Sequence, residues 1–155
     1  PPGHLLEEIC HTNTLFCLEH AAASPRIRVR DAVVENIGTA SDGSSLLKIR
    51  AVIGNDGYLP SHLTDRAIEK KVAETVKASL ELTGAEIVMG AATNDIGHLA
   101  GRNGRKYQWS PWGEKWGRTA RPVEWLVKAQ PGAKFNIVVH SQKGGKQVKA
   151  VKTDG

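Results

Sequence analysis

Alternation of apolar and polar side chains dominates this chain. Leu47, Ile49, Ala51 and Ile53 alternate with Lys48, Arg50 and Val52, a period of two that predicts a strand with one buried face. The strand stops at Gly54-Asn55-Asp56-Gly57, residues that tolerate turn or left-handed geometry, and Tyr58-Leu59-Pro60 follow as a corner. The same alternation sets Ile27, Val29 and Val33 against Arg26, Arg28 and Arg30, and Val76, Ala78, Leu80 and Leu82 against Lys77, Ser79 and Glu81. It sets Val123, Trp125 and Val127 against Glu124, Leu126 and Lys128, and it returns at Phe135, Ile137 and Val139. Residues 36–45, Thr83-Gly84, Gln130-Pro131-Gly132 and Lys143-Gly144-Gly145-Lys146 have the composition of turns. Shorter strands are expected at 85–89, around Ile96 and Leu99, and over 147–152. The predicted core is Ile27, Val29, Ile49, Ala51, Val76, Leu80, Val127, Ile137 and Val139.

The first 23 residues follow a different period. Leu6, Ile9, Cys10, Asn13, Phe16, Cys17 and His20 recur at spacings of three and four, one face of a helix. The prolines at the start suit a first turn, Glu7 and Glu8 suit the positive end of the helix dipole, and Ser24-Pro25 ends it. Leu6, Ile9, Phe16 and Cys17 are expected on a buried face, with His20 a satisfied core histidine. A short second helix is expected within 61–71, capped by Thr64, with Ala67 and Ile68 turned inward. One long helix followed by seven or eight short strands predicts a mainly β fold: an antiparallel sandwich of immunoglobulin or fibronectin type over residues 24–155, preceded by a helical unit over residues 1–23.

A chain of 155 residues can bury a core without metal or disulfide. No apolar run approaches the length of a transmembrane helix, so no membrane partner is expected. The opening Pro1-Pro2-Gly3 and the Lys-rich end read as a fragment cut from a longer protein, which leaves the compartment unknown. Cys10 and Cys17 would lie about 10.5 Å apart along a helix axis, too far for a disulfide, and are expected to be buried thiols. The net charge of +5 permits an acidic partner without requiring one.

Residues 101–121 break the alternation. They hold Trp109, Trp112 and Trp116, the cations Arg102, Arg105, Lys106, Lys115, Arg118 and Arg121, and a single acid, Glu114. The segment is expected outside the regular strands. Tryptophan among cations can stack sugars, grip a peptide or stack bases, which makes Arg105, Lys106, Trp109, Trp112, Trp116 and Arg118 candidate binding residues. The plainer alternative is that the tryptophans pack on the sandwich or on a neighbouring domain. Nucleic acid is disfavoured, because the remaining positive charge is scattered among acids. His4-x-x-Glu7 spells half of a carboxypeptidase zinc motif, with His98 or His140 as a distant third ligand, but a catalytic zinc needs three ligands converging in a cleft. There is no phosphate loop and no nucleophile elbow. No catalytic residue, metal ligand or cofactor is therefore expected within the chain.

Pro1-Pro2-Gly3-His4-Leu5-Leu6-Glu7-Glu8 with the helix it opens, and Gly54-Asn55-Asp56-Gly57-Tyr58-Leu59-Pro60 after a strand, resemble the C-terminal region of bacterial zinc carboxypeptidases of the carboxypeptidase A-like metallopeptidase family. The resemblance implies that residues 1–23 are the last helix of a catalytic α/β domain and that a β-sandwich accessory domain follows. It places the zinc, its ligands, the substrate-binding arginine and the catalytic glutamate before residue 1. The chain would then be non-catalytic, docking on, stabilising or shaping access to that catalytic domain, and able to self-associate through its helix once separated. The alternative is an independent module that binds glycan, peptide or cell-wall polymer through residues 101–121.

Overall fold

The computed structural model describes residues 2–62, 65–102 and 119–151. A 3-10 turn, Gly3–Leu5, leads into helix α1 (Leu6–Ala22). Strands β1 (Ile27–Thr39) and β2 (Ser45–Asn55) follow, then the short helix α2 (Asp65–Glu69). Strands β3 (Val76–Met89), β4 (Thr93–Gly97), β5 (Ala120–Ser141) and β6 (Gly145–Val151) complete the described chain. The fold is mainly β, and all pairings are antiparallel, in the order β1-β2-β5-β3-β4 with β6 also on β5.

Six strands stand among the described residues, where seven or eight short ones are expected, because two expected turns are bends inside longer strands. β5 runs for 22 residues. Its first half pairs with β2 and its second half with β6, while β3 follows its other edge along both halves. The register jumps from Ala85↔Ala129 to Thr83↔Lys134, so residues 130–133 bulge opposite Gly84. Gly84 has φ +74, a conformation that a side chain rarely tolerates. Gly84 and Pro131-Gly132 thus bend their strands without ending them.

The nine expected core residues are all buried, and Ile49 is 0% exposed. Replacing Ile49 by alanine is expected to cost about 2–5 kcal/mol; urea unfolding would measure it, and a loss below ~0.5 kcal/mol would contradict the assigned strand face. One expected inward residue differs. Val33 is 52% exposed, because β1 carries an extra residue at Arg30, between Val29↔Ile53 and Asp31↔Val52. A bulge reverses the alternation beyond it, so Ala32 and Val34 pack on the core instead. Near its start β1 also meets β6, where the Val29 N–H donates to Gln147 Oε1 at 2.8 Å.

Helix α1 forms where expected, but it buries none of its residues. Leu6, Ile9, Leu15 and Leu18 are exposed, and Phe16 is 67% exposed. At about 100° per residue, Leu15 and Leu18 fall on the far side from Leu6 and Cys17, so the apolar residues encircle the helix and form no single stripe. The sheet, meanwhile, fills its own core without the helix. Cys10 and Cys17, expected to be buried, are exposed free thiols. His20, expected in the core, lies on the surface edge-on to Phe16, with ring centroids 6.0 Å apart. Ala67 and Ile68 of α2 are half-buried as expected, and Thr64 lies outside the described residues.

An ion pair of 2.6 Å between Lys128 Nζ and Asp42 Oδ2 ties the β1–β2 turn to β5. Ser44 donates both its N–H and its hydroxyl to the same carboxylate. The bond from Lys128, aided by those from Ser44, holds the Asp42 carboxyl well below its ordinary value of 3.8, and Asp42 in turn raises Lys128 above 10.5. A depressed acid contributes stability above its unfolded value and loses it as pH falls through its folded value. The raised lysine contributes below 10.5 and loses its contribution as pH rises through its folded value. Asp42→Asn is therefore expected to make stability fall less steeply below pH 3.8, as read by denaturant melts in a descending pH series. The change should be small, since the pair is solvent-exposed.

Candidate functional site

Among the described residues, a hub of hydrogen bonds sits at the end of β2, at the expected Gly-Asn-Asp-Gly corner. Asn55 is 0% exposed. Its side-chain oxygen accepts the N–H groups of Arg26 at 3.0 Å and Gly57 at 2.9 Å. Its side-chain nitrogen donates to the Leu59 carbonyl at 2.8 Å. The Asn55 backbone N–H donates to the Thr119 carbonyl at 2.8 Å, and its carbonyl accepts Arg30 Nη2 at 2.9 Å. Arg30 also pairs with Asp56 at 2.8 Å, closing the outer side of the corner. An asparagine two residues before a glycine turns the backbone through its own side chain; here Asn55 also bonds Arg26, Arg30, Leu59 and Thr119.

The corner holds the end of α1. Leu59 N–H donates to the Ala23 carbonyl and Asp56 N–H to the Arg26 carbonyl, each at 2.8 Å. Gly57 lies so close to this junction that a Cβ would come within 2.4 Å of the Ser24 carbonyl oxygen and 2.6 Å of Arg26 N and Pro25 Cα. The corner also holds both flanks of the Trp- and Arg-rich segment. Arg102 N–H donates to the Gly57 carbonyl at 2.9 Å, and Thr119 is bonded to Asn55. The candidate residues Arg105, Lys106, Trp109, Trp112, Trp116 and Arg118 themselves lie outside the described residues. Ala120 and Arg121, expected in the loop, begin β5, with Arg121 opposite Ile53. Among the described residues, Arg121 Nε is buried with no hydrogen bond.

A second tie lies beside the first. Ser61 N–H donates to the Leu99 carbonyl at 2.9 Å, and Leu99 N–H donates to Ser61 Oγ at 3.0 Å, over the fully buried Leu99 side chain. This brings together His62 and His98, which lie far apart in the sequence; their rings meet edge to face at 4.5 Å. Ser61 Oγ lies 3.4 Å from His62 Nδ1, but both residues are buried, so the pair is not an exposed nucleophile and base. Among the described residues, no three His, Cys, Asp or Glu side chains are grouped to hold a metal. His4 and Glu7 are exposed at the start of the helix, and His140 stands on β5. The Asn-x-Gly spacing could have pointed to the corner as a hub, but nothing local could have paired residue 62 with residue 98.

The remaining surface offers shallow grooves. One of about 250 Å³ beside the β5 bend has a floor of Val34, Leu47, Ala129 and Phe135, with no ionisable group in it. On the outer face, Glu124 pairs with Lys48 at 3.3 Å and Arg50 at 2.7 Å. Loss of water pushes its carboxyl up, and the two cations outweigh this and hold it below its ordinary value. That is an ion-pair effect on an exposed sheet face and has no sign of an acid or base poised for catalysis.

No curated protein matches the chain. The model of a family described as a domain of unknown function, DUF8731, matches residues 26–152. The match begins one residue after Pro25 and leaves α1 outside it. Because the match takes in the whole described sheet and most of the sequence, the chain belongs to the DUF8731 family.

Proposed function

We propose that the chain is a non-catalytic accessory domain of a zinc carboxypeptidase of the carboxypeptidase A-like family, attached to its catalytic domain through α1. The observation that carries this reading is the helix itself. Its 17 residues include no buried one, it displays Leu6, Ile9, Leu15, Phe16 and Leu18, and it stands outside the matched family region. So much exposed apolar surface marks an interaction site. A covering domain from the same polypeptide accounts for it. The sandwich arrangement of immunoglobulin or fibronectin type belongs to this reading. It is supported by the one-sided burial of the strands and by a β5 that serves different neighbours with its two halves.

Thiol reactivity tests the reading. Cys10 and Cys17 of α1, exposed here, should react fast with a maleimide in the separate chain and be strongly protected in the longer polypeptide, with a metallopeptidase zinc-ligand set encoded ahead of residue 1. Equal fast reaction in both forms, or no such sequence, overturns it. The separate chain should bind no stoichiometric zinc by calorimetry and leave free C-termini intact. Stoichiometric zinc lost on replacing His4 and Glu7, together with release of C-terminal residues, would make the chain itself the enzyme.

A second reading, a glycan-, peptide- or cell-wall-binding module, draws on the anchoring of Arg102 and Thr119 to one corner. Loops held by a rigid scaffold are common binding elements. Retention of the chain on insoluble polysaccharide, lost on replacing Trp109, Trp112 and Trp116, would favour it.

A further inference from the structure

Ala23, Ser24, Pro25 and Arg26 lie between α1 and β1, a stretch of a length that often serves as a hinge. A hinge needs a few residues free to change φ and ψ. Here most backbone groups of these residues are occupied. The Ala23 carbonyl takes the Leu59 N–H, and the Ser24 N–H returns to the Ala21 carbonyl at 3.2 Å. The Arg26 N–H goes to Asn55 Oδ1, and its carbonyl takes the Asp56 N–H. Pro25 is buried, with φ fixed by its ring, and the Gly57 backbone packs directly on Ser24, Pro25 and Arg26.

We infer that this junction is a rigid joint that fixes the direction of α1 relative to the sheet, so that the domain covering the helix is carried at one set angle. This deepens the docking reading and rests on it for the joint's use, while the joint itself depends only on the corner. The rigidity follows from the number of ties, three from the corner at Asn55, Asp56 and Leu59 and one from the helix's own end, acting on Ala23, Ser24 and Arg26.

The exposed Cys17 supplies a label position. In the chain carrying Cys10→Ser and Lys134→Cys, spin labels on α1 and on β5 should give a single narrow distance peak. A broad distribution overturns the joint. Gly57→Ala forces a methyl group into the Ser24–Arg26 backbone, and Pro25→Gly frees φ while leaving the corner intact. Each should turn the peak broad while the sheet stays folded, and a peak left narrow by both overturns the inference. Phe135→Leu, which lines the groove beside the β5 bend, should lower the thermal midpoint and keep the peak narrow; broadening there as well would mean general loosening and would also overturn it. Because the separate chain is used, a broad distribution counts against the joint alone. Absence of a metallopeptidase domain ahead of residue 1 counts against the docking reading alone.

Discussion

Replacing Asn55 by alanine is expected to destabilise the chain by about 3–5 kcal/mol, since each buried group left unsatisfied costs roughly 1–3 kcal/mol. The substitution removes three side-chain hydrogen bonds at once and orphans the Arg26 and Gly57 N–H groups and the Leu59 carbonyl. Asn55 and Gly57 are both buried, so solvent cannot readily replace the bond to Gly57, while the bonds to Arg26 and Leu59 are part-buried. Asn55→Asp keeps an acceptor for the two N–H groups but removes the donor to Leu59 and buries a charge, so it should be damaging too, and more so as pH rises and the acid ionises. Urea unfolding of the variants measures the effect. A loss below ~1 kcal/mol for the alanine variant would mean that the corner relaxes to let water in.

Trp125→Ala should cost a comparable amount, about 3–5 kcal/mol, for a different reason. Trp125 is 1% exposed and has the largest side chain among the most deeply buried residues. It stands on β5 opposite Ile49, and its removal would open a cavity next to the residue on which β2 is centred. Its indole N–H donates to the Ala91 carbonyl at 3.0 Å, in the turn that joins β3 to β4. The loss should therefore also be felt at β4, whose amides are expected to exchange faster than those of β6 in the variant. Trp125→Phe would retain most of the volume and lose the hydrogen bond, so it should cost clearly less. Equal costs for the two variants would contradict the cavity argument.

The inward residues of the strands were legible because a half-buried strand writes its two faces into alternate positions. Ile49, Val76, Val127 and Ile137 are inside for that reason. Val33 departs from the pattern because one extra residue at Arg30 reverses the alternation and leaves no compositional trace. Gly84 and Pro131-Gly132 have the composition of chain reversals because a bend and a turn draw on the same residues. In α1 the spacing of Leu6, Ile9 and Cys17 suggests one apolar face, but Leu15 and Leu18 lie on the other side and are exposed as well. The corner was visible as a stop to a strand. Its role as a hub was not, because its partners Arg26, Leu59, Arg102 and Thr119 are spread along the chain and become neighbours only in the folded state.

The double service of β5 has a consequence for how the chain must fold. Its first half completes the sheet begun by β2, as in the contact of Arg50 with Glu124 across 74 residues of sequence. Its second half completes β3 and β6. Pairings this distant in sequence pay their loop-closure entropy before any contact returns it, which slows folding to roughly milliseconds to seconds. The β1–β2 and β5–β6 hairpins can form locally. The β1–β2 hairpin cannot cover Ile49 until the segment around Trp125 has arrived beside it, and the start of β3 at Val76 waits for the far end of β5 near His140. During synthesis the first hundred or so residues would thus leave the ribosome with their apolar faces uncovered. A chain terminated within β5 should be captured by chaperones or aggregate, even though most of its sequence is present.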